Sequence, residues 1–194
     1  MFQNVLTASD FQIGCMRKYF FLFVSIGTLL MMIVMQQTGA PLKTKATPYG
    51  ILDLEFASTS VKAAAVIDAW GKTETSDNIQ AAKLNTELDF IFLFFYSVFL
   101  HQACRAIARL YKGAISNIGL IAANAAIAAG VLDILENIGM LLTLHHYINS
   151  TVCLLTFSFS VTKWVLALFA LVYILAAGGI HLIGKIINPA KAEQ

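Results

Sequence analysis

The sequence predicts an all-α membrane protein: a four-transmembrane-helix bundle with a partly helical long first outer loop. Three observations carry that prediction. Hydrophobic residues make up 58% of the chain and charged residues only 12%, against roughly a half and a quarter in soluble domains. The mean hydropathy is +0.74. Four apolar segments recur along the 194 residues, each long enough to cross a ~30 Å hydrocarbon layer. The whole chain, 1–194, reads as a single integral membrane domain.

The first segment runs from Tyr19 to about Gln37, carries no charge and follows Arg17 and Lys18. Thr38-Gly39-Ala40 has the small residues of a signal-peptide cleavage site, but the apolar run exceeds a signal-peptide core, so an uncleaved anchor is expected. The second segment covers about Leu88 to Leu110. The third, about Gly113 to Leu144, is dense in alanine and glycine. Lipid offers no hydrophobic force between helices, so small residues that let backbones approach mark the packing surface. The third helix should therefore be central, with Ala126 and Gly130 at close crossings. The fourth segment extends from about Leu155 to Ile183, and Pro189 would end any helical continuation.

Charge bias predicts the threading. Arg105, Arg109 and Lys112 crowd the short turn between segments two and three, Arg17 and Lys18 precede segment one, and Lys185 and Lys191 follow segment four. Short loops rich in Lys and Arg stay cytoplasmic. A multi-pass protein of the plasma membrane with both termini cytoplasmic follows. The outer loops are then a long one, about 38–87, and a short one around His145 to Val152. Within the long loop, Leu52, Leu54 and Phe56 alternate with Asp53 and Glu55 in a strand-like pattern. Ser58, Thr59 and Ser60 offer caps for a helix through Val61 and Ile67 to Trp70, with Gly71 as its stop. Ser76 could cap a further helix that runs into segment two without a break.

The sharpest chemistry is polar residues inside the apolar runs. Asp133, Glu136 and Asn137 share a helical face, and ionisable groups inside membrane spans are functional-site candidates. At 1.5 Å per residue, Asp133 lies ~30 Å above Gly113, Lys163 ~33 Å above Lys185 and Asp89 ~30 Å above Arg109. All three reach one level, the outer edge of the hydrocarbon, with Glu136, Asn137 and His145 on or just above it. Asp53 and Glu55 could fold down onto that level, and Tyr96 lies two turns below Asp89 as a hydrogen-bonded core tyrosine. The expected consequence is an acidic pocket at the outer face, one lysine facing several carboxylates. The plainer reading of the same layer is a structural Asp133–Lys163 ion pair that fixes helix register.

Other candidates are weaker. His101 and Arg105, one turn apart, could relay protons, although a snorkelling interfacial arginine is commoner. His145 and His146 with Glu136 could hold a metal, but the Glu-x-x-His pairs of di-iron bundles are missing and no metal is expected. Cys15, Cys104 and Cys153 are far apart with no CxxC, so no disulfide framework is expected. Gly178-Gly179 lacks the pattern of a dinucleotide site, and no other cofactor is indicated. A net charge of +2 gives no basic surface for nucleic acid. The run Phe90 to Phe95 is lipid-facing or core surface. Asn149-Ser150-Thr151 matches a glycosylation acceptor.

Three elements resemble a group of small, uncharacterised four-helix bacterial membrane proteins. They are Asp53-Leu54-Glu55 in the outer loop, Leu88-Asp89-Phe90-Ile91-Phe92 with Tyr96 at the start of helix two, and Asp133-x-x-Glu136-Asn137 in helix three. The resemblance spans about Ile51 to Lys163 and implies the same layout; the group carries no established activity and so implies no catalytic residues. The long first and short second outer loops are also similar in layout to claudin-like tetraspan proteins, without the paired cysteines and tryptophan motif of that loop.

Two function classes follow. The first is a non-enzymatic module that binds membrane lipids or other membrane protein subunits through the outer loop and acidic pocket, or a small subunit of a larger complex. The alternative is a membrane enzyme on an amphiphilic substrate, with Asp133 or Glu136 as general base and Lys163 holding an anionic head group.

Overall fold

A computed structural model describes residues 8–71 and 76–187. The stop expected at Pro189 and the basic Lys191 lie outside the described residues, as do the side chains of Cys15 and Arg17. Among the described residues the chain forms α1 (Ala8–Gly39), a 3₁₀ turn (Ala40–Leu42), α2 (Ile51–Glu55), α3 (Ser60–Trp70), α4 (Asp77–Ala108), α5 (Ala114–Leu144) and α6 (Ser150–Ile187), with no strand. Four of these helices are long and apolar enough to cross a membrane: Lys18–Leu42, Asp77–Ala108, Ala114–Leu144 and Ser150–Ile187. The protein is an all-α, multi-pass membrane protein.

The third span is the most buried of the four, although α4 is the helix that meets all three others. α5 packs along both α4 and α6, whereas α1 lies against α4 and has at most marginal contact with α6. Small residues decide where the helices meet. A Cβ on Gly130 would stand 2.8 Å from Ser97 Cβ of α4. One on Gly139 or Gly119 would strike Thr156 or Tyr173 of α6, and one on Gly27 of α1 would strike the Phe95 ring of α4. Ala126 is fully buried in a cluster with Ala122, Ala123, Leu100, Cys104, Ala170 and Tyr173.

The long loop is folded as a cap. Thr59 is the N-cap of α3, its hydroxyl accepting from Lys62 N, and Gly71 ends the helix at φ +134°. Trp70 Nε1 donates to Leu42 O at 2.9 Å and to Thr47 Oγ1 at 3.1 Å. These bonds tie α3 to the end of α1 above a core of Leu42, Leu54, Ile67, Ile79, Met140 and Leu144. α4 begins directly after Ser76, whose hydroxyl donates to Trp70 O and caps nothing.

The strand-like pattern at Leu52, Leu54 and Phe56 is a helical turn instead. Gly50, at φ +65°, starts it, and Asp53 Oδ2 accepts from Tyr49 N at 2.8 Å. Among the described residues there is no strand for this segment to pair with, so local capping decides its conformation. The consequence is large for the site. In a helix Leu54 and Glu55 turn inward together while Phe56 turns out, where a strand would have turned Glu55 away from Leu54.

Candidate functional site

Three helices and the loop bring their ionisable groups to one point. Lys163 of α6 places Nζ 2.6 Å from Asp133 Oδ1 and 2.8 Å from Glu136 Oε2 of α5, and 3.7 Å from Glu55 Oε2 of α2. The Asp133 contact is a hydrogen bond; the Glu136 contact is a close charge contact not aligned as one. All four side chains are enclosed, with Lys163 7%, Asp133 2%, Glu136 0% and Glu55 7% exposed. In that setting the ammonium and its carboxylates need each other, because an isolated buried charge costs several kcal/mol even after relaxation.

A second ring of bonds fixes the geometry. Tyr96 O–H donates to Asp133 Oδ2 at 2.7 Å, so both oxygens of Asp133 are used. Asn137 Nδ2 donates to Asp89 Oδ2 at 2.8 Å and ties α5 to α4. Ser160 Oγ and Trp164 Nε1 of α6 donate to Glu55 Oε2 at 3.2 and 3.3 Å, holding the loop down on the bundle. Glu136 Oε1 and Asn137 Oδ1 are buried with no hydrogen-bond partner among the described residues.

Beside this cluster is a cavity of about 250 Å³. It lies where α4 meets α1 and α6, beneath α2. Glu55, Asn85, Asp89, Tyr96, Asp133 and Lys163 form its polar wall, and Met35, Ile51, Phe92, Met140, Trp164 and Ala167 its apolar one. Asn85 Nδ2 donates to Met35 O at 3.0 Å and Thr38 Oγ1 at 2.7 Å, while its buried Oδ1 has no partner among the described residues.

The structure thus gathers Asp89, Tyr96, Asp133, Glu136, Asn137, Lys163 and Glu55 as the sequence suggested. Asp53 does not join them, because its carboxylate is spent on the Tyr49 N–H. His145 does not join either: it is exposed, with Nδ1 2.8 Å from Leu141 O. His101 Nδ1 lies 2.9 Å from Ala123 O, a helix-to-helix contact in which the exposed Arg105 takes no part. Among the described residues no group of three His, Cys, Asp or Glu is arranged to hold a metal ion. Sequence reasoning missed Asn85, Ser160 and Trp164. Asn85 was findable, since 85, 89, 92 and 96 share one helical face. Ser160 and Trp164 were not, because their partner Glu55 comes from a loop whose fold was misread.

Comparison with protein-family models, with curated proteins and with solved structures finds no match for this chain.

Proposed function

We propose that this chain is a multi-pass plasma-membrane protein that binds a lipid-like amphiphile in the cavity, as a binding module or small subunit and not as a catalyst. Its head group donates hydrogen bonds or carries positive charge. One observation carries this reading: the polar wall of the cavity offers acceptors, and its one cation is already enclosed by three carboxylates. The carboxylate-bearing Asp89 and Glu55 line the end that takes an incoming head; Met35, Phe92, Trp164 and Ala167 suit an apolar chain. An anionic head would meet more negative than positive charge. An enzyme reading needs Lys163 free to hold such a head and Glu136 open to a substrate, and Glu136 is fully buried away from the cavity wall.

The resemblance to small four-helix bacterial membrane proteins fits this layout, and the basic turn Arg105–Lys112 supports placing that turn and both termini in the cytoplasm. The cavity then lies at the outer face. Lys62→Cys should label from outside in intact cells and Lys112→Cys should not; the reverse would overturn the threading.

The binding reading is tested with three twelve-carbon probes, dodecylamine, dodecanol and dodecanoic acid, added to the protein in an uncharged detergent. A ligand that binds only the folded state raises its melting temperature. The amine should raise it most, the alcohol less and the acid not at all, and Asp89→Asn should remove the advantage of the amine. Equal stabilisation by the acid, or none by any probe, would contradict the reading.

A further inference from the structure

The outward face of α5 carries a polar side chain at a depth where lipid cannot satisfy it. Asn124 stands ~15 Å along the helix from Ala114, and the basic turn marks one edge of a ~30 Å layer, so the amide lies near its middle. It is exposed, and it has no hydrogen-bond partner among the described residues. Outward hydroxyls elsewhere avoid this problem: Ser158 and Thr162 of α6 donate to Leu154 O and Ser158 O of their own helix at 2.7 and 2.8 Å. An amide one bond longer cannot close onto its own backbone so easily, and hydrocarbon supplies no partner.

The surroundings of Asn124 have a repeat. Asn124, Val131 and Ile138 recur every seven residues down the centre of the outward face, flanked at the same interval by Ile127 and Ile134, all exposed. A seven-residue repeat keeps one seam facing a partner helix along a left-handed crossing, and a single asparagine in such a seam fixes register and copy number.

We propose that two copies of this chain pair through this face of α5, with the Asn124 amides hydrogen-bonded across a two-fold axis. A second copy is the occupant favoured by electrostatic complementarity. The amide is donor and acceptor at once, so its complement is another amide. Identical chains threaded alike bring the two to the same depth, and an isologous pair closes without leaving a free face. Polar side chains act as interhelical glue in this way, at about 0.6–1.7 kcal/mol each.

The test is energy transfer between donor- and acceptor-labelled full-length protein in phosphatidylcholine vesicles, as a function of protein density. The wild-type chain should dimerise. Asn124→Leu should raise the dissociation constant about 3- to 18-fold, the range that a bond of this strength implies, while Asn124→Gln should largely preserve pairing. Leu168→Ala, on the outward face of α6, should change nothing. Oxidation of Ile138→Cys should give a covalent dimer that Leu168→Cys does not. A chain that stays monomeric at every density, or a dimer that Asn124→Leu leaves intact, would overturn the proposal.

Discussion

The same three helices pack in opposite ways at the two ends of the bundle. Beside the tight α4–α5 turn, α5 presents Gly119, Ala122, Ala123 and Ala126, and meets Cys104 and Ala108 of α4 and Ala170, Tyr173 and Ala177 of α6. Beneath the long loop it presents Asp133, Glu136, Asn137 and Met140, and meets Asp89 and Tyr96 of α4 and Lys163 of α6. Small residues let backbones touch, so the first half packs closely. Longer polar side chains hold helices apart and satisfy one another at a distance, so the second half encloses a cavity. The changeover falls between Gly130 and Asp133, within one turn of one helix. Close packing in the first half thus anchors the polar second half.

The largest effect should come from the polar half. Lys163→Met leaves up to three buried carboxylates without their cation, and breaking one side of a buried pair costs about 3–5 kcal/mol. Adding Asp133→Asn should restore part of the loss. Chemical denaturation of the four proteins of that cycle measures the coupling, and strictly additive losses would mean that the pair is not a unit. Next comes the close-packed seam. Gly130→Leu and Ala126→Leu should each cost about 1–3 kcal/mol through forced separation of α4 and α5. Melting temperatures in detergent that match wild type for both would mean that α5 does not pack closely at this seam.

Tyr96→Phe is smaller, about 1.5 kcal/mol, because Asp133 loses one charged hydrogen bond but keeps Lys163. The smallest effect should be Asp53→Ala. It removes the bond that Asp53 accepts from Tyr49 N just ahead of α2, worth about 1 kcal/mol, and because Asp53 does not line the cavity it should leave amine binding unchanged. A loss of binding with Asp53→Ala would place that carboxylate in the site after all.

The close-packed half was the more legible in the sequence. Alanine and glycine at helical spacing state directly which face must pack, and the spans were placed to within a few residues at most ends. The N-terminal ends of α1 and α4 are the exceptions: the helices begin at Ala8 and Asp77, well before Tyr19 and Leu88, because a helix can continue beyond the apolar window that hydropathy marks. The polar half was legible in depth but not in detail. Counting 1.5 Å per residue put Asp89, Asp133 and Lys163 on one level, since straight helices preserve distance along the axis. Which loop carboxylate would reach them depended on five residues. A one-turn helix after Gly50 and a short strand have the same composition, and the absence of a pairing strand among the described residues separates them. That choice turned Glu55 inward and spent Asp53 on a backbone N–H.

The measurement that tests the central claim most directly is quenching of Trp164, which lines the cavity, by chain-brominated dodecylamine in uncharged detergent. A Trp70→Phe background leaves Trp164 as the sole indole among the two tryptophans of the chain. Occupation of the cavity predicts saturable quenching by the amine, merely linear quenching by the equally brominated dodecanoic acid, and loss of saturation with Asp89→Asn. Quenching that rises linearly and equally with both probes would mean that the acidic cavity takes up no such ligand.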